Sequence, residues 1–222
     1  MRGHICVIPP KLEQSVSLEN TANRDRSLQI ARRVDWRFLL PKPQLGCVAY
    51  LGPQNTPLFE ALAQFSQAPP HLIARQDVTS PCDTPFDLVV VCSQRTVDVQ
   101  QACALLRSDG HLYWEIDRLH GLLSLASLNI RQTRCRLHLL LHPHLFLEHL
   151  GFRTITMYWH YPTFEDCREI IPLNTREALT YVFARKREKL AHRIAWAAGR
   201  LLLHIRLLPR LVPYVSIVAS KE

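Results

Sequence analysis

Four histidines, His138, His142, His144 and His149, crowd into LHLLLHPHLFLEHL (residues 137–150). His138 and His142, four apart, can share one helix face and hold a metal. Pro143 interrupts that helix, and no nearby carboxylate or thiolate completes a ligand set, so packed or surface histidines are the expectation and no metal is expected. Two other residues stand where proton transfer can be done. Glu115 stands near the carboxyl end of HLYWEI (111–116) and is a candidate general base or acceptor-orienting carboxylate. His160, near the end of FRTITMYWHY (152–161), titrates near physiological pH and is a candidate base; a structural histidine is the competing reading. The run Tyr158-Trp159-His160-Tyr161 can wall a pocket with rigid rings, although alternation sends half of them into a core. Cys92-Ser93 follows an apolar run, where a lone Cys is usually a small filler.

These residues need a scaffold, and the chain supplies one of mixed α/β type. Gly46–Leu51 reads as a short strand stopped by Gly52-Pro53. Thr56 and Pro57 mark the cap and first position of a helix, with Leu58, Leu62 and Phe65 on one face. His71–Ala74 and Phe86–Cys92 are further strands, and the unbroken apolar centre of the latter suits burial on both faces of a parallel sheet. A helix follows over Thr96–Arg107, with Val97, Ala104 and Leu105 toward the core. Asp109-Gly110 then turns the chain into the strand His111–Ile116. Leu139–Leu150 is helical and ends at Gly151. Phe152–Tyr161 alternates as a strand, with Ile155 and Met157 on one face; a long helical stretch runs from Thr175 to about Leu208, and Tyr214–Ser220 closes the sheet. Strands and helices alternating at this spacing imply right-handed crossovers and a layered sandwich.

Composition narrows the class. With 222 residues, 47% of them hydrophobic and 21% charged, the chain can bury a core. Seven cysteines without a C-x-x-C pair argue against a disulfide scaffold or zinc ribbon and for a reducing compartment. The N-terminus lacks a secretory core and no apolar stretch is long enough to span a membrane, so a soluble, cytoplasmic protein is expected. The net charge of +8 is local: Arg176–Arg210 holds nine bases against two acids. Within Glu188–Leu208, Lys189, Arg193, Arg200 and His204 fall on one stripe with Trp196, and the remaining circumference is largely Leu, Ile and Ala. Such a basic amphipathic helix packs on the sheet, on a protein partner, or peripherally on the inner face of an anionic membrane. Nucleic acid is not expected, because the classical signatures are missing and the stripe has no interleaved stacking aromatics beyond Trp196.

Three segments resemble the class I S-adenosylmethionine-dependent methyltransferases. Val48-Ala49-Tyr50-Leu51-Gly52-Pro53 stands in the place of the first strand and glycine loop. Asp77 followed by Phe86–Val91 resembles the adenine-contacting acid and the next strand. Leu105-Leu106-Arg107-Ser108-Asp109-Gly110-His111-Leu112 is similar to the helix, turn, glycine and strand that follow. VDWRFLLP and YWHYPTFEDCREIIPL further resemble a bacterial subgroup associated with glycan and natural-product gene clusters.

The resemblance implies a Rossmann-like methyltransferase sandwich, its sheet mostly parallel, with a helical insertion (163–212) before the last strand. The domain would cover 34–222, behind an N-terminal arm, 1–33. It also implies methyl transfer from S-adenosylmethionine to a small-molecule or glycan-type acceptor, with Gly52, Asn55, Asp77 and Ser93 toward the cofactor and Glu115 and His160 toward the chemistry. Asp35-Trp36-Arg37 would then be either a lid or a packing anchor. The chain departs from the pattern twice. Only Gly52 of the glycines is kept, with Tyr50 in place of the usual acid, Gln54 and Thr56 where glycines are usual, and Asn55 able to turn the loop. No acid stands where a ribose would be held: either the second strand is deleted and His71–Ala74 is the third, or Arg75 replaces the acid. These departures favour the alternative, a non-catalytic methyltransferase-like protein that binds another enzyme or a membrane through its basic helix.

Overall fold

The computed structural model describes residues 25–73, 85–92, 96–124, 130–185, 199, 201–202, 204 and 207–221. Its centre is one seven-stranded sheet: β1 (Val48–Leu51), β2 (His71–Leu72), β3 (Phe86–Val91), β4 (Leu106–Asp117), β5 (Phe152–Tyr161), β6 (Glu169–Pro172) and β7 (Tyr214–Lys221). The spatial order is β2-β1-β3-β4-β7-β5-β6. Strands β1 to β4 run parallel; β7 is inserted antiparallel between β4 and β5, which restores β5 to the common direction, and β6 hangs antiparallel on β5. This is the Rossmann-like α/β sandwich expected from the sequence, mostly parallel, with the C-terminal strand reversed inside it.

Helices cover both faces. On one side lie α1 (25–32), a 3-10 turn (Asp35–Leu39) and α2 (Pro57–Phe65); Val34, Trp36, Leu58 and Leu62 pack there against Val48, Tyr50, Leu88, Val90 and Tyr113. Trp36 stacks on Tyr113 with ring centroids 3.6 Å apart, so Asp35-Trp36-Arg37 is a packing anchor. The other face is covered by α3 (Thr96–Leu105), α5 (Ile130–Leu141), α6 (Pro143–His149), α7 (Arg176–Arg185) and α8 (Leu208–Leu211), with the short α4 (Arg118–Leu123) at the end of β4. Because strand side chains alternate, Ala49, Val89, Leu112, Trp114, Ile155, Met157, Val215 and Ile217 serve this second core.

Local rules explain the boundaries and several departures from expectation. Thr56 accepts the Phe59 amide and Pro57 opens α2. Phe65, expected beside Leu58 and Leu62, is instead exposed, its ring 4.5 Å from the Arg37 guanidinium. In α3, Ala104 is exposed and Val99, Ala102 and Cys103 are buried; the helix ends two residues early because β4 already begins at Leu106. Asp109-Gly110 lies within β4, in a register shift between Leu106 and His111. Pro143 divides the expected Leu139–Leu150 helix, opening α6 as its first residue, and Gly151 exits it with φ +87°. The 163–212 insertion is not purely helical, since it contributes β6 to the sheet edge. Most of the segment expected to form a basic helix, including Lys189, Arg193, Trp196 and Arg200, lies outside the described residues.

Candidate functional site

The chain leaves β1 toward β2 on one side and returns to β3 on the other, so the strand order reverses at β1. Open α/β sheets bind ligands at the carboxyl ends of strands flanking such a reversal. A cavity of about 360 Å³ lies there, lined by Leu51, Gly52, Pro53, Ile73, Cys92, Asp98 and Gln101. A second, larger cleft of about 520 Å³ opens beside it between the tips of β1, β3 and β4; its walls include Arg33, Tyr50, Thr56, Cys92, Glu115, Asp117, His120, Arg136, Phe164 and Glu165. Pro53 and Cys92 belong to both, forming the partition between the two.

Parity puts the polar residues of three strands on one face. Tyr113 and Glu115 point from β4 toward the α1 side; Ser216 of β7 stands directly opposite Glu115, and His160 of β5 reaches Ser216 diagonally, Nε2 to Oγ at 2.8 Å. Arg33, from the end of α1, donates both terminal nitrogens to the two Glu115 oxygens at 2.6 Å, and the Tyr113 hydroxyl donates to the same carboxylate at 2.9 Å. Burial would raise the Glu115 carboxyl, but the Arg33 guanidinium overcomes it and holds the group below its ordinary range. Burial keeps His160 neutral, pushed down to about 4, and its Nδ1 is buried without a hydrogen-bond partner. The Cys92 thiol, facing Glu115 Oε2 at 3.6 Å, is pushed up by burial and by that carboxylate, so it is protonated and unreactive.

Glu115 and His160 lie on the same face, Glu115 held by Arg33 and Tyr113 and His160 by Ser216. The carboxylate is charged and paired, the imidazole is neutral and bonded to Ser216, and neither is poised as a base. What the sequence left unread was Arg33, which lies outside the segment expected to form the domain; a lone arginine in a polar arm carries no signal of its partner 82 residues away.

The glycine loop holds a second self-contact. Tyr50 is fully buried, and its hydroxyl donates to the Pro53 carbonyl and pairs with Thr56 Oγ1, each at 3.1 Å. A Cβ on Gly52 would lie 2.7 Å from the Tyr50 hydroxyl and 3.0 Å from Cys92 Cβ. Gly52 is therefore required by the protein's own phenol on that side, and its backbone edge faces the 360 Å³ cavity on the other. Asn55 is exposed in the loop; Asp77 and Ser93 lie outside the described residues. β2 pairs directly with β1, so His71-Leu72 occupies the second-strand position, with Ile73 rather than an acid at its tip. Asp98, buried in the first turn of α3, is the carboxylate that lines the cavity instead. Among the described residues no group of three His, Cys, Asp or Glu is arranged to hold a metal; the His138–His142 and His142–His144 rings meet tilted and edge-on, with centroids 5.3 and 6.1 Å apart.

No family model and no curated protein matches the sequence. Among solved structures, the chain is similar to a SAM-dependent methyltransferase from Thermotoga maritima (10% identity, 95% of this chain and 97% of that one, TM-score 0.42). It is also similar to a SAM-dependent methyltransferase from Archaeoglobus fulgidus (12% identity, 88% and 94%, TM-score 0.42). A third is the plantazolicin methyltransferase BpumL in complex with SAH (10% identity, 96% and 91%, TM-score 0.41). Likenesses at this level identify neither a family nor an activity; the fold assignment rests on strand order and direction.

Proposed function

We propose that the chain is an S-adenosylmethionine-dependent methyltransferase acting on a small-molecule or glycan-type acceptor. The observation that carries this reading is the pair of cavities at the strand reversal, which meet at Pro53 and Cys92. A transfer between two molecules needs binding positions that adjoin, which the two cavities provide, and a volume of about 360 Å³ lies within the usual range for ligand pockets. The lining suits an adenosyl group. The Gly52 backbone offers an edge without a side chain on the cavity side, Ile73 an apolar wall, and Asp98 an acceptor for hydroxyl or amine protons. When bound, S-adenosylmethionine supplies an electrophilic methyl group on a sulfonium.

The protein's own share is placement. Tyr50 holds the Pro53–Thr56 loop shut on itself, fixing one side of the partition, while Cys92 supplies a small, protonated side chain on the other. Arg33 and Glu115 cancel as a buried pair in the cleft wall, leaving Asp117, His120 and Glu165 as the remaining proton acceptors lining it. One oxygen of Asp117 is spent on the His120 amide at 2.9 Å. The acceptor's proton therefore leaves toward the mouth of the cleft, to His120, Glu165 or water, and Glu115 and His160 act as positioning residues.

A second reading, a non-catalytic methyltransferase-like protein, is favoured by the contact of Tyr50 with Gly52, where the protein's own ring fills one side of the glycine niche. Calorimetric titration with S-adenosylhomocysteine separates the two. Micromolar binding that Asp98→Asn weakens supports the enzyme; absence of heat and of any thermal shift at millimolar ligand leaves only the second.

A further inference from the structure

Helices α4, α5 and α8 contain five arginines (Arg118, Arg131, Arg134, Arg136 and Arg210) and no aspartate or glutamate. They form one corner at the carboxyl end of β4. Arg118 is its fastener: its backbone amide donates to the Pro213 carbonyl, Nε to Leu140 O at 2.8 Å, and Nη1 to Pro209 O and Val212 O. The guanidinium is buried, and Nη2 has no hydrogen-bond partner. Arg118, Arg210, His138 and His144 all lie near His142. Burial and these bases together hold His142 below its ordinary value, and no acid counters them.

This basic corner also exposes leucines. Leu119, Leu122 and Leu123 of α4 are 53%, 46% and 70% exposed, and Leu211 of α8 is 56% exposed beside Arg210. Large aromatic side chains, which anchor protein partners, are absent from α4 and α8, whereas leucine is under-represented at such anchors. Leucines interleaved with long-stemmed bases suit the headgroup boundary of a bilayer. The chain entering α8 continues the pattern, with six Lys or Arg and one acid between Lys186 and Arg206. No helix among the described residues is long and apolar enough to cross a membrane, so contact is made on the surface.

We propose that the α4–α8 corner is a docking face for an anionic lipid surface, the leucines entering the headgroup layer while the exposed Arg134 and Arg210 pair with lipid phosphates. His120, on α4, lines the cleft, so docking would set the mouth of the cleft against the bilayer. The inference is independent of the methyltransferase reading.

Vesicle co-sedimentation of the full chain tests it, with phosphatidylcholine vesicles with and without phosphatidylglycerol. Binding is expected only with the anionic lipid and should weaken as salt rises. Leu122→Asp with Leu123→Asp, and separately Arg210→Glu, should each lower affinity about tenfold or more. Phe38→Asp, at an exposed site beside Arg37, should leave it unchanged. Arg210→Glu alters an exposed side chain, and circular dichroism verifies folding of every variant. Absence of binding, equal binding to neutral vesicles, or undiminished binding by Arg210→Glu overturns the proposal.

Discussion

Arg33 and Glu115, 82 residues apart in the chain, meet through two parallel hydrogen bonds of 2.6 Å in the buried wall of the cleft. The pair fastens α1 across the end of β4 and cancels two buried charges.

Removing one partner leaves the other buried and unpaired. Arg33→Met or Glu115→Gln should each cost about 3–5 kcal/mol, while the double substitution should cost less than the sum. Because Arg33 holds the folded Glu115 pKa below its ordinary 4.5, the pair's contribution is complete above that value and is lost as pH falls through the folded pKa. Urea unfolding at neutral and acid pH measures both; equal midpoints for wild type and single variants would contradict the pairing.

His160 predicts a separate acid limb. Its folded value of about 4 lies below the unfolded 6.5, so the unfolded chain takes up a proton first and stability declines as pH drops from about 6.5 to about 4. The loss should approach about 3 kcal/mol. His160→Gln retains a partner for Ser216 but does not titrate, so its loss of stability over that interval should be smaller than that of wild type by about this amount.

Tyr50 and Gly52 are steric complements. Gly52→Ala pushes a methyl against the phenol and should destabilise by about 1–3 kcal/mol. Tyr50→Phe removes the bridge from Pro53 to Thr56 for about 1–2 kcal/mol. In Tyr50→Leu/Gly52→Ala the added methyl meets no hydroxyl, so thermal denaturation should reveal strong non-additivity. Additive effects would place the phenol elsewhere.

Asp98 carries the ligand prediction. Asp98→Asn keeps the shape of the cavity wall but replaces a charged acceptor, and should weaken S-adenosylhomocysteine about tenfold. Calorimetry reads the change directly; an affinity indifferent to this substitution removes Asp98 from the site.

Much of the scaffold is legible from local chemistry. Thr56-Pro57 announces α2 through capping, FDLVVV announces a strand buried on both faces, and FRTITMYWHY alternates over the full length of β5. β6 is four residues long and polar at its start, and it is a strand only because β5 offers it an edge. The site was legible at single positions: Gly52, Glu115 and His160 do stand at the carboxyl edge. Their roles were not, because a carboxylate reads as a base until its partner is known, and the partner lies in another element.

The amino-acid order by itself determined the alternation of strands and helices, the place of the glycine loop and the concentration of positive charge near the C-terminus, because capping, periodicity and charge act between near neighbours. Only the folded chain decided that Arg33 would neutralise Glu115, that Tyr50 would fill the niche of Gly52, and that two cavities would adjoin at Cys92. Those outcomes depend on which side chains a crossover brings within a few ångströms, and burial then sets their protonation and their reach.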